Sequence, residues 1–407
     1  MRYRLTYVNT SAPISTTQRA SAILSAATSG LPAPISVIDL AAFDANGRTM
    51  VSRAHGRPIR VATKSLRVRA LLERALAIEG FSGLMAYSLR EALWLVREGM
   101  RDILVAYPTV DADVLRELGA NELALAEITL MTDCSEHLDL IATAHPVRPV
   151  RIAIDVDSSL RILSRTPFPI HLGVRRSPLH TEEDVTTYLD VAQRNSQVNV
   201  VGLMFYDAQI AGLPDSSPAV RLVKKISRAE LAQRRAEIVA AMKARVGQLD
   251  IINAGGTGSL HTFDQATEIT EVTAGSGFYH PGLFDGYENL GLEPAAYFGL
   301  DLVRTPTRGI VTAFAGGYVA SGQAKQNRQP KPISVDLTAI GTEGAGEVQT
   351  PLVVRKGAPA PRIGDRVWLR NAKAGEQMER FNVTHLLEGE SIVDKLPTYR
   401  GEGNNFG

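Results

Sequence analysis

Ten short apolar runs, most of them rich in β-branched residues, alternate with segments of helical period, and this alternation constrains the chain more than any other feature. The runs are "ISVIDL" (35–40), "IRVAT" (59–63), "FSGLMAYS" (81–88), "DILVAYP" (102–108), "ITLMTD" (128–133), "RIAIDVD" (151–157), "IHLGVRR" (170–176), "NVVGLMFYD" (199–207), "DIINAGG" (250–256) and "EITEVTAG" (268–275). Consecutive apolar positions mark strands covered on both faces, whereas a strand wetted on one side alternates apolar and polar residues. Between two of these runs, Val68, Leu71, Leu72, Ala75 and Leu76 recur at helical spacing, with Arg67, Arg69, Glu73 and Arg74 on the opposite side. Val185, Tyr188, Leu189 and Ala192 repeat the pattern behind Thr181, a residue suited to cap the first turn. Strand and helix in regular succession imply parallel pairing. A doubly wound sheet and a closed barrel both satisfy that pattern, and ten runs in about 250 residues fit the (β/α)8 barrel better.

Past about residue 295 the texture changes. "RGIVTAFAGGYVASG", "ISVDLTAI", "EVQTPLVV" and "DRVWLRN" are short strands separated by Gly/Pro turns such as "KGAPAPRIGD", with no helical period between them. The expected organisation is an N-terminal arm over 1–32, an α/β barrel of TIM type over 33–290, and a smaller all-β C-terminal domain over 291–407.

Charge and cysteine content exclude several classes of function. Forty-four Lys and Arg against forty-three Asp and Glu leave a net charge of +1, too little for the counterion release on which nucleic-acid binding depends. The single cysteine, Cys134, cannot form an internal disulfide, and no apolar run is long enough to span a membrane. The expected protein is soluble and cytoplasmic, with neither nucleic acid nor membrane as partner.

In a parallel barrel, chemistry belongs to the rim at the strand carboxyl ends. Lys64 ends the second run, and Ser65 is placed to cap a following helix whose first N–H groups would disfavour an ammonium beside them. A neutral lysine amine is what attack on an aldehyde requires. "NAGGTGS" (253–259) ends a later run with glycines able to turn backbone N–H groups onto one phosphate. It lacks both the Lys-Ser/Thr ending of a nucleotide P-loop and the G-x-G-x-x-G spacing. "TAGSG" (273–277) offers a second such nest, "GLMFYD" (202–207) brings Tyr206, and "GVRRSP" (173–178) brings Arg175 and Arg176. Amine, phosphate nest, aromatic ring and arginine on separate strand ends suit pyridoxal 5'-phosphate.

"ISVIDLAAFDANGRTM", "RPIRVATKS", "GLMFYDAQIAG", "INAGGTGS" and "TEVTAGS" occur in the order found in fold-type III pyridoxal-phosphate enzymes. From about residue 33 to 390 the chain resembles the D-threonine aldolase and D-serine dehydratase branch of the alanine racemase superfamily. The resemblance implies that Lys64 carries the cofactor as an imine, that Tyr206 lies against its ring, and that Gly255, Gly256, Thr257 and Gly258 hold the phosphate with Gly275 and Ser276. It implies that Arg175 or Arg176 stands near the cofactor O3′, with Arg161 a rival. It further implies a homodimer, because the second domain of one subunit closes its neighbour's site in this superfamily. D-threonine aldolases place a His and a Cys, two apart, as ligands for a divalent metal in the segment corresponding to "RVWLRNAKAGEQMERFNVTHLL" (366–387). Lys373 and Gly375 stand at those positions here, so the metal is left open.

The activity so implied is retro-aldol cleavage of the Cα–Cβ bond of a β-hydroxy amino acid, of D configuration, through an external aldimine. Elimination to a keto acid and ammonia, or racemisation with Tyr318 or Tyr297 as second base, are the alternatives, together with a non-catalytic cofactor carrier. Asp207, His180, His280, Lys373 and Glu376 are the candidate bases for the β-hydroxyl proton, with Asp207 taken beside Lys64 and Tyr206 as the catalytic set.

Overall fold

The computed structural model describes residues 17–162, 170–323 and 326–407. Its strands in chain order are β1 (Ile35–Asp39), β2 (Ile59–Ala62), β3 (Phe81–Ala86), β4 (Ile103–Val105), β5 (Ile128–Thr132), β6 (Val150–Asp155), β7 (Leu160–Ile162), β8 (Ile170–Leu172), β9 (Val198–Phe205), β10 (Ile251–Ala254), β11 (Glu271–Ala274), β12 (Ala296–Thr307), β13 (Ile310–Phe314), β14 (Lys331–Pro332), β15 (Leu337–Ala339), β16 (Gln349–Val354), β17 (Arg366–Arg370), β18 (Val383–Glu388) and β19 (Ser391–Pro397). They fall into two compact units. One comprises Met50–Thr63, Glu79–Gly275 and Phe406–Gly407; the other comprises the described residues up to Thr49, with Lys64–Ile78 and Ser276–Asn405.

The first unit is a closed parallel barrel in the order β10, β11, β2, β3, β4, β5, β6, β9. Eight of the ten expected runs build it. "ISVIDL" does not: β1 pairs antiparallel with β12 and parallel with β18 in the other unit. Its five residues are all buried, so an apolar run covered on both faces reads the same in either sheet. "IHLGVRR" is the other departure, since β8 folds back antiparallel on β7 as a hairpin outside the barrel. The link between β7 and β8, 163–169, lies outside the described residues.

Met85, Leu104, Ala106, Met131, Ala153, Met204 and Ile251 fill the barrel as one buried cluster, with Tyr107 and Tyr206 packed on it. Side chains alternate along a strand, so residues two beyond Met131 and Ala153, namely Asp133 and Asp155, face the carboxyl mouth. Arg60, 2% exposed, ties β2 to its neighbours. Its Nε and Nη2 donate to the two carboxylate oxygens of Glu271 at 2.7 Å each, and Nη1 reaches Asp102 at 3.0 Å. Asn253 Nδ2 also donates to Glu271, at 2.6 Å. On the barrel flank, the helix Glu182–Gln193 begins with Thr181 as expected, in a reciprocal cap with Asp184.

The second unit is a nine-stranded sheet in the order β15, β16, β13, β12, β1, β18, β19, with β17 paired to β12 and β14 to β17. Phe298, Leu300, Val311, Leu352, Val367 and Leu369 form one core within it. A helix at Thr17–Ala27 completes a second core by placing Ala20, Ile23 and Leu24 against Ile35, Val37, Tyr297 and Trp368. That helix is the described part of the expected arm; residues 1–16 lie outside the described residues. No helix among the described residues is long and apolar enough to cross a membrane.

Candidate active site

The turn after β10 is built on glycine. Gly255 holds φ at +83°, a conformation that L side chains rarely adopt, and a β-carbon there would press on the Phe263 ring at 2.7 Å. The Gly256 N–H donates to Ser259 Oγ at 3.1 Å, the Ser259 N–H returns to the Gly256 carbonyl at 2.9 Å, and Ser259 Oγ donates to Asp207 Oδ1 at 3.2 Å. Thr257 is buried within this turn. Asp207 therefore stands behind the turn and not on the open rim: it is 2% exposed, and burial raises its carboxyl to about 7 against the opposing effect of the Ser259 hydroxyl. Asp207 supports the shape of the loop; as a base for a rim-bound substrate it has no access.

Tyr206 follows β9 immediately, and a β-carbon added to Gly256 would lie 3.9 Å from its Cε2. The same β-carbon would meet Ala211 Cβ at 3.0 Å, so glycine at 256 keeps the space between turn and ring open. Burial raises the Tyr206 phenol above its ordinary range, Arg176 acting in the other direction. The Arg176 guanidinium carbon lies 5.2 Å from the Tyr206 ring centre and 5.6 Å from that of Tyr107. Among the described residues Arg175 makes no such ring contact, so of the two expected arginines Arg176 is the one over the tyrosine. Both belong to a cavity of about 510 Å³ lined also by Asp157, Arg161, His171 and Ser177. Arg161, the rival, is held by Asp157 through Nε at 3.0 Å and Nη2 at 2.5 Å. Burial raises the Asp157 carboxyl, but hydrogen bonds from His180, Ser159 and Arg161 outweigh it and hold the group well below the usual range.

Lys64 lies two residues beyond β2, and Ser276 two beyond β11, its parallel neighbour. Two residues of chain span at most about 7 Å, which keeps both at the strand ends. Ser65 Oγ and Ser276 Oγ are 3.1 Å apart. That contact displaces one expectation: Ser65 caps no helix. Thr63–Ser65 form a 3-10 turn, and the helix begins at Arg69 behind Val68, which makes no side-chain cap. The helix end thus starts well past the lysine and is not the source of positive potential expected beside it. Within the same unit Gly375 packs on the Lys64 carbonyl oxygen, where any β-carbon would collide with it. The Lys64 side chain is exposed.

The remaining candidate bases are held by structure. His180 Nδ1 is 3.4 Å from Asp157 Oδ2, and His280 is lowered to about 4 by burial and by Arg370, which also donates to its carbonyl. Lys373 Nζ donates to Ser321 Oγ at 2.7 Å, and Glu376 accepts from the Ser321 N–H at 2.9 Å. Tyr297 is 3% exposed and donates to the Pro294 carbonyl, while Tyr318 packs on Phe298 and Phe381. Sequence reasoning passed over Asp133 and Asp155 at the ends of β5 and β6. Their signal is an acid two residues past an inward-facing apolar one.

A parallel barrel of this kind together with an all-β unit defines a class, the fold-type III pyridoxal-phosphate enzymes. The chain belongs to the alanine racemase family, whose N-terminal domain model matches residues 38–281. Members of that family use pyridoxal phosphate on small amino acids. No curated protein matches the sequence significantly. Among solved structures it is similar to a D-threonine aldolase from Filomicrobium marinum, with 18% identity over 91% of this chain and 96% of that one and a TM-score of 0.78. It is similar to D-threo-3-hydroxyaspartate dehydratase from Delftia sp. HT23, at 18% identity over 91% and 98% of the two chains, with a TM-score of 0.71. An alanine racemase from Clostridium difficile 630 is 13% identical over 90% of this chain and 99% of that one, with a TM-score of 0.64. At these identities the likeness is one of fold.

Proposed function

We propose that the chain binds pyridoxal 5'-phosphate at the barrel rim and cleaves the Cα–Cβ bond of a β-hydroxy amino acid of D configuration. The observation that carries this reading is the Tyr206 ring, flanked by the Arg176 guanidinium at 5.2 Å and by the open face of Gly256. A β-carbon would fill that cradle, and a phosphate monoester joined to a flat ring matches the glycine turn beside the aromatic face. The glycine turn and the open face beside Tyr206 suit the cofactor: on this reading Gly255, Gly256, Thr257 and Gly258 would hold its phosphate with Gly275, Tyr206 and Arg176 would meet its ring, and Lys64 and Ser276 of the other unit are the residues proposed for its aldehyde carbon and phosphate.

When bound, the cofactor supplies an electron sink for the pair left on Cα. Lys64 Nζ would hold the cofactor by its aldehyde carbon and would be the group that returns a proton to Cα. Asp207, uncharged below about pH 7, holds Ser259 and with it the loop. Arg175 and Arg176 present positive charge to the substrate carboxylate from the cavity wall. A divalent metal at the family's C-terminal position does not fit this chain: Lys373 offers an ammonium, and Gly375 has no room for a side chain.

Elimination to a keto acid and ammonia is the second reading. The excess of arginine over acid in the cavity favours it, because that charge suits a substrate with an acidic side chain, as in the 3-hydroxyaspartate of the similar dehydratase. Purified protein should be yellow, the colour lost on borohydride treatment. Incubation with D- and L-β-hydroxy amino acids, scoring aldehyde against keto acid, separates the two reactions. A colourless protein that gains no visible absorption from added pyridoxal phosphate would sink both.

A further inference from the structure

β5 ends at Thr132, and Asp133 and Cys134 follow it directly, with His137 in the first turns of the helix Ser135–Thr143, in the order Asp-Cys-Ser-Glu-His. A carboxylate oxygen, the thiol sulfur and a ring nitrogen of these residues lie within 4.8 Å of one another. His137 Nδ1 stands 3.1 Å from Asp133 Oδ1. Two ligands of one tetrahedral ion, at bonds of about 2.0–2.1 Å, are roughly 3.3 Å apart, so this pair already has ligand spacing. The Asp133 backbone N–H also points at that nitrogen, from 3.4 Å.

A second observation points the same way. The register pairs Thr132 with Ile154, so Asp133 stands opposite Asp155 at the ends of neighbouring strands. Asp155 is 8% exposed, and Arg176 acts on its carboxylate against the like charges of Asp133 and Asp157. Two carboxylates side by side repel, and a divalent cation between them relieves both.

We propose that Asp133, Cys134 and His137 bind one divalent metal ion of the zinc type, with Asp155 beside it. Thiolate, imidazole and carboxylate together select a borderline-soft ion, and three protein ligands leave one position open. This places a metal in the barrel half, on the chain's single cysteine, and not at positions 373 and 375. It does not rest on the pyridoxal reading, since none of its ligands is a cofactor residue.

The test uses the full chain, stripped with chelator and dialysed against zinc. One zinc per chain is expected, and X-ray absorption should show one sulfur at about 2.3 Å. Because the protein has one cysteine, that sulfur can come only from Cys134 or a methionine, and Cys134→Ser should abolish the signal. His137→Gln and Asp133→Asn should each weaken zinc at least tenfold by competition with a chromophoric chelator, and Lys64→Ala should leave zinc binding unchanged while removing the yellow colour. Stoichiometry far below one, or zinc without sulfur, overturns the proposal. So does binding that Cys134→Ser and His137→Gln leave intact.

Discussion

Gly375 abuts the carbonyl oxygen of Lys64 with no space for a β-carbon between them. Gly375→Ala must therefore move the turn that carries the lysine, and overpacking of this kind costs about 1–3 kcal/mol. The expected result is a lower Tm together with weaker retention of pyridoxal phosphate. Wild-type values for both would show that the turn yields freely.

Arg176 and Arg175 are adjacent in sequence, and the proposed function gives them different work. Arg176 lies over two tyrosine rings, an interaction worth about 0.5–2 kcal/mol where desolvated. Arg176→Ala is expected to raise the cofactor Kd by roughly 2- to 30-fold, the range that energy spans. Arg175→Ala should leave cofactor affinity alone and raise KM. Equal effects of the two on cofactor binding, read by the visible band during titration, would contradict this division.

Asp207 gives stability a pH signature. Its folded carboxyl is raised to about 7, chiefly by burial, from an ordinary value of 3.8. Between those values the folded protein holds a proton that the unfolded chain has lost, so this group's contribution is full below pH 3.8 and falls away as pH rises through 7. Asp207→Asn should flatten the decline in Tm between pH 5 and pH 8 relative to wild type, about neutral conditions where the carboxyl would ionise. Parallel pH profiles of the two proteins would remove Asp207 from this role.

Arg60 is the positive centre of a buried network with Glu271 and Asp102. Arg60→Ala takes the guanidinium from Glu271, leaving Asn253 as its close donor among the described residues, and breaking a buried pair from one side costs about 3–5 kcal/mol. Denaturant unfolding measures the loss. A change below about 1 kcal/mol would mean that water replaces the guanidinium.

The eight barrel strands were legible because doubly covered strands leave uninterrupted apolar runs, and the glycine turn because positive φ demands glycine. β1 was not, since complete burial erases the difference between a barrel strand and the centre of another sheet. Ser65 read as a helix cap because a hydroxyl after a strand serves that role by default; its partner, Ser276, is 211 positions away. Asp207 read as a rim base since nothing local signals that its carboxylate turns back under Ser259. Asp133 and Asp155 went unread for the opposite reason: their meaning depends on two strands in register, which no single stretch of sequence displays.

The placement of β1 between β12 and β18 governs how this molecule must be born. A strand translated near the start acquires one neighbour only after residue 296 and the other only after residue 383. Until those neighbours arrive both its edges are open, even with the helix Thr17–Ala27 against Ile35 and Val37, and open-edged apolar strands seize foreign strands or summon chaperones. A stop codon anywhere ahead of Val383 would leave that ribbon exposed on the β18 side for the life of the truncated product.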